Sequence, residues 1–280
     1  MATDQLRQLE SLMNRLDQDR AASQQPADIS SRTPNTVSTK FNAADSIERQ
    51  LHADGHRVWG FVVYRCAYAS DSDWETCIQR IKASIRKAMG MYNGHDLLEE
   101  GRFRLTVIED ANALDGASTQ VVRQHFTEWC SRALNEEQGS NEEIESRRQE
   151  AEPWYGSLAL RYRFCVQVDE ASLQSIVSAE TAGEGWVKLI KGAWKARASR
   201  ASEAETQQQE PETDGLVEDQ GDYEEYEEDE EHPAIEGCTE EDVGWMKVQY
   251  QSVIPDFYVN LRDPNAWIGD YRRPPDIATA

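Results

Sequence analysis

Between Ala201 and Asp242 the chain contains no lysine and no arginine, while it places nineteen aspartates and glutamates there. The formal net charge of the 280-residue chain is −23, so the other residues together carry only −4. This divides the chain into a near-neutral body and one acidic insert, and it sets phosphate attraction low for the body. Eighteen consecutive apolar residues occur nowhere, which excludes a bilayer-spanning helix of ordinary length. The first residues, Met1-Ala2-Thr3-Asp4-Gln5-Leu6, lack the charged-then-apolar order of a secretory signal. The five cysteines, Cys66, Cys77, Cys130, Cys165 and Cys238, are odd in number and widely spaced. That excludes a disulfide framework and points to a reducing compartment, cytoplasm or nucleus, without secretion.

Catalytic and metal signatures are also lacking. There is no P-loop, no Gly-x-Gly-x-x-Gly turn after a strand, no Gly-x-Ser-x-Gly elbow and no Cys-x-x-Cys. His52, His56, His95, His125 and His232 complete no zincin or zinc-finger motif: His52 and His56 are four residues apart, but Ala53 stands where a zincin has Glu, and no Cys-x2–4-Cys pair accompanies them. No cofactor and no metal site is therefore expected.

What is present is an aromatic-rich body, with eight Trp, ten Tyr and six Phe, of which only Tyr223 and Tyr226 lie in the insert. Residues 1–54 read as a disordered arm, because 21–44 is rich in Ser, Thr, Gln, Asn and Pro. Within the arm, Leu6, Leu9, Met13 and Leu16 give 3–20 an amphipathic helical spacing. Such a helix is either a transient one or one that docks on a partner or on the protein's own body. Residues 55–200 and 243–272 read as one folded domain, 201–242 as a disordered acidic insert, and 273–280 as a disordered tail.

In the body, Val58–Tyr64 is apolar on both faces and predicts a central strand. Ser72-Asp73-Trp74-Glu75 has capping-box spacing before a helix with Trp74, Cys77, Ile78, Ile81, Ile85 and Met89 on one face. Strands are predicted at Phe103–Glu109, Tyr162–Val168, Gly185–Ile190 and Trp245–Tyr250. A second helix follows Asp115-Gly116-Ala117, and Asp169 caps a short third one. The expected fold class is α+β: a ferredoxin-like β-α-β/β-α-β sheet, with an inserted helix and an added C-terminal strand, and helices on one sheet face. A doubly wound α/β sheet is the alternative.

Trp59-Gly60-Phe61-Val62-Val63-Tyr64-Arg65, Phe103–Asp110, Leu114-Asp115-Gly116-Ala117 and Gly244-Trp245-Met246-Lys247-Val248 resemble a family of uncharacterised, predicted intracellular proteins of filamentous fungi. The resemblance covers the body, from Arg57 to Tyr271, and implies no activity, ligand or functional residue.

Three sets of residues are candidates for function. Glu109, Asp110 and Asp169 end predicted strands; such carboxylates serve either a divalent cation in a metal-dependent hydrolase or another enzyme, or the amino ends of the helices that follow. Lys188, Lys191, Lys195, Arg197 and Arg200 form a basic block, with no acid from Val187 to Arg200. The acidic insert follows directly, so it either folds back and masks 188–200 or is a solvated run. Tyr223 and Tyr226 stand among acids, in a tract that either engages basic proteins or is an idle insertion. Arg161-Tyr162-Arg163-Phe164 superficially suits RNA stacking, but the glycine-bearing signature of that module is missing, so nucleic acid is not an expected partner. The leading expectation is a non-catalytic intracellular interaction protein whose tract binds basic partners; the alternative is the enzyme.

Overall fold

The computed structural model describes residues 42–99, 101–148, 159–179, 184–196 and 232–279. The predicted helix over 3–20, most of the acidic insert, and Arg197, Arg200, Tyr223 and Tyr226 lie outside the described residues.

The fold is mixed α/β around one six-stranded sheet. Helix α1 (Ala43–Asp54) precedes β1 (Val62–Arg65), α2 (Asp71–Met91) and β2 (Thr106–Ile108). Then come α3 (Ala111–Leu114), α4 (Thr119–Gln138), α5 (Asn141–Arg147), β3 (Phe164–Val168), α6 (Glu170–Val177) and β4 (Trp186–Lys191). After the insert follow β5 (Trp245–Gln249), α7 (Ala266–Asp270) and β6 (Ile277–Ala278). The strand order is β2-β1-β3-β4-β5-β6. β1 is parallel to both β2 and β3, β4 runs antiparallel to β3 and β5, and β6 is parallel to β5.

This arrangement departs from the ferredoxin-like expectation. A split β-α-β unit needs a strand between its two strands, whereas β1 and β2 pair directly. Nor do the helices share one face. Phe61, Val63, Val166, Val168 and Leu189 pack with Ile81, Ile85, Leu173 and Ile176 of α2 and α6. Val62, Tyr64, Cys165 and Ile190 pack with Val122 and Phe126 of α4 on the other side. The physical reason is that β1 and β3 are buried on both faces throughout, so one helical layer leaves half of that apolar area in water. The β2-β1-β3 half thus follows the doubly wound plan, and the antiparallel β3-β4-β5 half closes the sheet.

Three segments predicted to lie outside the fold are part of it. Helix α1 is capped by Asn42, whose side chain accepts from the amides of Ala44 and Asp45. It buries Ile47 and Leu51, and Asp54 accepts both guanidinium nitrogens of Arg262 at 2.6 and 2.7 Å. It ends at Gly55, with φ +67°, where a Cβ would stand 2.1 Å from the Ile144 carbonyl oxygen, so only glycine fits. The end of the acidic insert, from His232 to Asp242, bonds to the body as set out below. Tail residues Ile277 and Ala278 extend the sheet beside Lys247 and Val248. A smaller shift concerns α2: its cap is Ser70, which accepts from the Asp73 amide, rather than Ser72.

The amino-terminal edge of the parallel half is closed by a buried polar network. Arg161, with no exposed surface, makes a two-pronged pair with Glu137 at 2.7 and 2.6 Å, and donates to the Arg104 carbonyl and the Thr106 hydroxyl. The Tyr162 hydroxyl donates to Glu137 at 2.9 Å and accepts from Gln138, which also takes the amides of Arg57 and Val58. Burial pushes the Glu137 pKa up, but Arg161, Tyr162 and Arg104 outweigh it and hold the carboxyl below its usual range. Glu137→Gln leaves the Arg161 guanidinium buried without its counter-charge. The expected loss is about 3–5 kcal/mol, read from urea unfolding.

His56 sits next to this network, against Tyr162. Burial lowers its pKa below 6.5; Asp54 opposes this, and Arg262, Arg147 and Arg148 add to it. The unfolded chain therefore binds a proton that the folded chain refuses, and this contribution to stability falls as pH drops below about 6.5. Unfolding midpoints across pH 5 to 8 are expected to show this limb, and His56→Gln to remove it.

Candidate functional site at the carboxyl edge of the sheet

Parallel strands send their following loops to the carboxyl edge, where open α/β sheets hold their ligands. At that edge the loop after β1, the turn before α4, the start of α6, Lys188 of β4 and Glu236 of the insert enclose a cleft of about 600 Å³. Asp169 caps α6, accepting from the Ser172 amide at 2.8 Å and the Ser172 hydroxyl at 2.6 Å. Its other oxygen lies 2.9 Å from Lys188 Nζ. Burial alone would raise the Asp169 pKa; the Ser172 bonds and the Lys188 ammonium overcome it and bring the pKa below the ordinary value.

Lys188 also reaches Glu236 at 3.8 Å and lies over the Trp245 ring at 4.6 Å. Glu236 in turn accepts from the Thr119 amide, at 3.3 Å, and from the Thr119 hydroxyl. It thereby places a carboxylate at the positive end of the 20-residue helix α4. Lys188 is thus held between two carboxylates and is not a free cation. Cys66, on the wall of the cleft, is buried, and burial pushes its thiol up to about 12, so it stays protonated and a poor nucleophile.

Glu236 belongs to an ordered return of the insert. The His232 amide donates to the Thr239 carbonyl, and Ile235 and Cys238 exchange backbone bonds. Arg273 donates to the carbonyls of Pro233 and Glu241, and Trp267 Nε1 donates to Asp242 at 2.9 Å. The other end of the insert leaves β4 through Trp194, whose ring lies under Arg123 at 4.7 Å. The two ends meet at Gly244, with φ +75°, where a Cβ would come within 2.3 Å of the Trp194 ring. Steric room for that ring requires the glycine.

The three candidate carboxylates do not converge. Glu109 accepts from Trp74 Nε1 at 2.8 Å and lies 4.0 Å from Arg65. Asp110 caps α3 by accepting from the amides of Asn112 and Ala113. Only Asp169 lines the cleft. Among the described residues no group of three or more His, Cys, Asp or Glu is arranged to hold a metal ion. Nor is any described helix long and apolar enough to cross a membrane.

The basic block is not one surface. Lys188 and Lys191 are three residues apart on β4, so they point to opposite faces. Lys188 meets Trp245, and Lys191 lies 5.4 Å from the Trp267 ring on the other side. Lys195 lies beyond the strand. Sequence reasoning did not single out Glu236, Thr119 or Arg273. Glu236 is one acid among nineteen; its only signal is that His232-Pro233-Ala234-Ile235 and Gly237-Cys238-Thr239 interrupt the acidic run.

Comparisons with protein-family models, curated proteins and solved structures return no match.

Replacing Lys188 by Met removes the ammonium that stabilises ionised Asp169. The Asp169 pKa is then expected to move upward, measured by carboxyl NMR titration. An unmoved pKa would show that the Ser172 bonds suffice.

Proposed function

We propose that this is a non-catalytic interaction protein that presents residues 201–231 as an acidic loop to basic protein partners. One observation carries the reading: the fold anchors the chain on both sides of residues 201–231, at Trp194 and at His232–Asp242. That stretch has fifteen acids and no Lys or Arg. Its partners are recognised by charge, so binding weakens as salt rises. Tyr223 and Tyr226 add faces over which partner lysines and arginines can sit. The likeness of the body to intracellular fungal proteins supports a cytoplasmic or nuclear setting and adds no chemistry.

The masking reading draws support from Glu236, which covers Lys188. Its scope is narrow, because Lys191 lies on the other sheet face. The enzyme reading rested on strand-end carboxylates, and these serve Trp74, the amides of α3, and Ser172 with Lys188.

The test replaces 201–231 with a short Gly-Ser linker and titrates both chains with a Lys-rich peptide. The expected result is at least about tenfold weaker binding without the loop, with the difference shrinking at high salt. Equal affinity of the two chains would sink the proposal. A generic RNA added to the shortened chain tests masking separately: binding gained only there supports it.

A further inference from the structure

A long shallow groove runs along the outer face of α2, away from the carboxyl-edge cleft. It consists of two adjoining hollows, of about 620 and about 580 Å³, that share Arg80 and Ala83. The first begins at Ser72, and the second ends at Met91, which is 50% exposed although it is a large apolar side chain. Ser72 to Met91 spans about 28 Å of helix. The α2 side of the groove carries Glu75, then Arg80, which also donates to the Ile176 and Ala179 carbonyls, and, seven residues on, the exposed Lys87. Asp256 stands on the opposite wall.

We infer that residues 3–20 of this same chain occupy the groove as an amphipathic helix. Four observations select that occupant. First, length agrees: eighteen helical residues measure about 27 Å. Second, the segment has an apolar stripe of Leu6, Leu9, Met13 and Leu16. A helix this short is marginal in water unless that stripe is covered. Third, charge agrees. Glu10 and Asp17 stand seven residues apart, beside the stripe, at the same pitch as Arg80 and Lys87. Fourth, the chain arrives at the right place. Asn42, the first described residue, donates its side-chain amide to the Tyr92 carbonyl at 3.3 Å, next to Met91 at the end of the groove. The intervening residues, 21–41, can span up to about 70 Å, far more than the distance needed. The helix covers Met91 and Ala83 with its leucines and sets its acids against Arg80 and Lys87.

The test places a probe on the floor of the groove, using the full chain. Ala83 is exposed, so Ala83→Cys is treated with a thiol reagent and labelling at that position is read by peptide mass spectrometry. Adding Leu9→Asp and Met13→Asp is expected to speed labelling about tenfold, as for a helix docked about nine-tenths of the time. Asp17→Lys is expected to speed it as well, and Lys87→Glu in the same chain to slow it again. A rate that is the same in all these chains would overturn the inference. So would protection that vanishes on dilution, since that outcome assigns the groove to a second copy. Protection that is independent of concentration and rescued by the charge swap supports it.

Discussion

The pairing of Arg161 with Glu137 is the constraint on which the rest of the fold depends. The guanidinium is fully enclosed, and its donors reach Glu137 at the end of α4, the Arg104 carbonyl and the Thr106 hydroxyl. Gln138, beside Glu137, takes the amides that lead into β1. One polar cluster therefore fixes where three parallel strands begin and where the helix crossing their far face ends. Such a pair adds little net stability, since both charges leave water, but losing one partner is costly. Its effect is to specify one register and one docking position for α4.

With the amino-terminal edge closed, the cleft lies at the carboxyl edge. There the loops after β1 and β3, the start of α4 and the return of the acidic insert meet around Lys188. The two carboxylates that hold Lys188 come from different sources: Asp169 from the third strand, Glu236 from the insert. The charge that would otherwise attract an anion is used to attach the insert to the body. The proposed interaction role follows from this attachment: acids are presented from a fixed base rather than from a free end.

Much of the local structure was legible. The apolar stripe of α2, the capping role of Asp169 and the strands at Phe164–Val168 and Trp245–Gln249 follow from periodicity and side-chain chemistry. Asp169 was also named as a catalytic candidate with Glu109 and Asp110; the structure puts it at the start of α6, beside Lys188. The three segments wrongly left outside the fold share one cause. Helix α1, residues 232–242 and β6 are polar or short on their own, and their attachment to the body comes from Arg262, Arg273 and β5, far away in the chain. The basic block failed for a different reason. A run of lysines along a strand alternates between faces, so nearness in sequence separated Lys188 from Lys191 rather than joining them.

The sequence by itself determined the composition of the body, the place of the acid-only stretch and the alternating or helical pattern of each segment, because these depend on neighbouring residues. Tertiary structure alone decided the strand order, the use of both sheet faces and the choice of Glu236 among nineteen acids. Those outcomes depend on which distant groups meet, and the energy of covering a strand or pairing a charge appears only once they do.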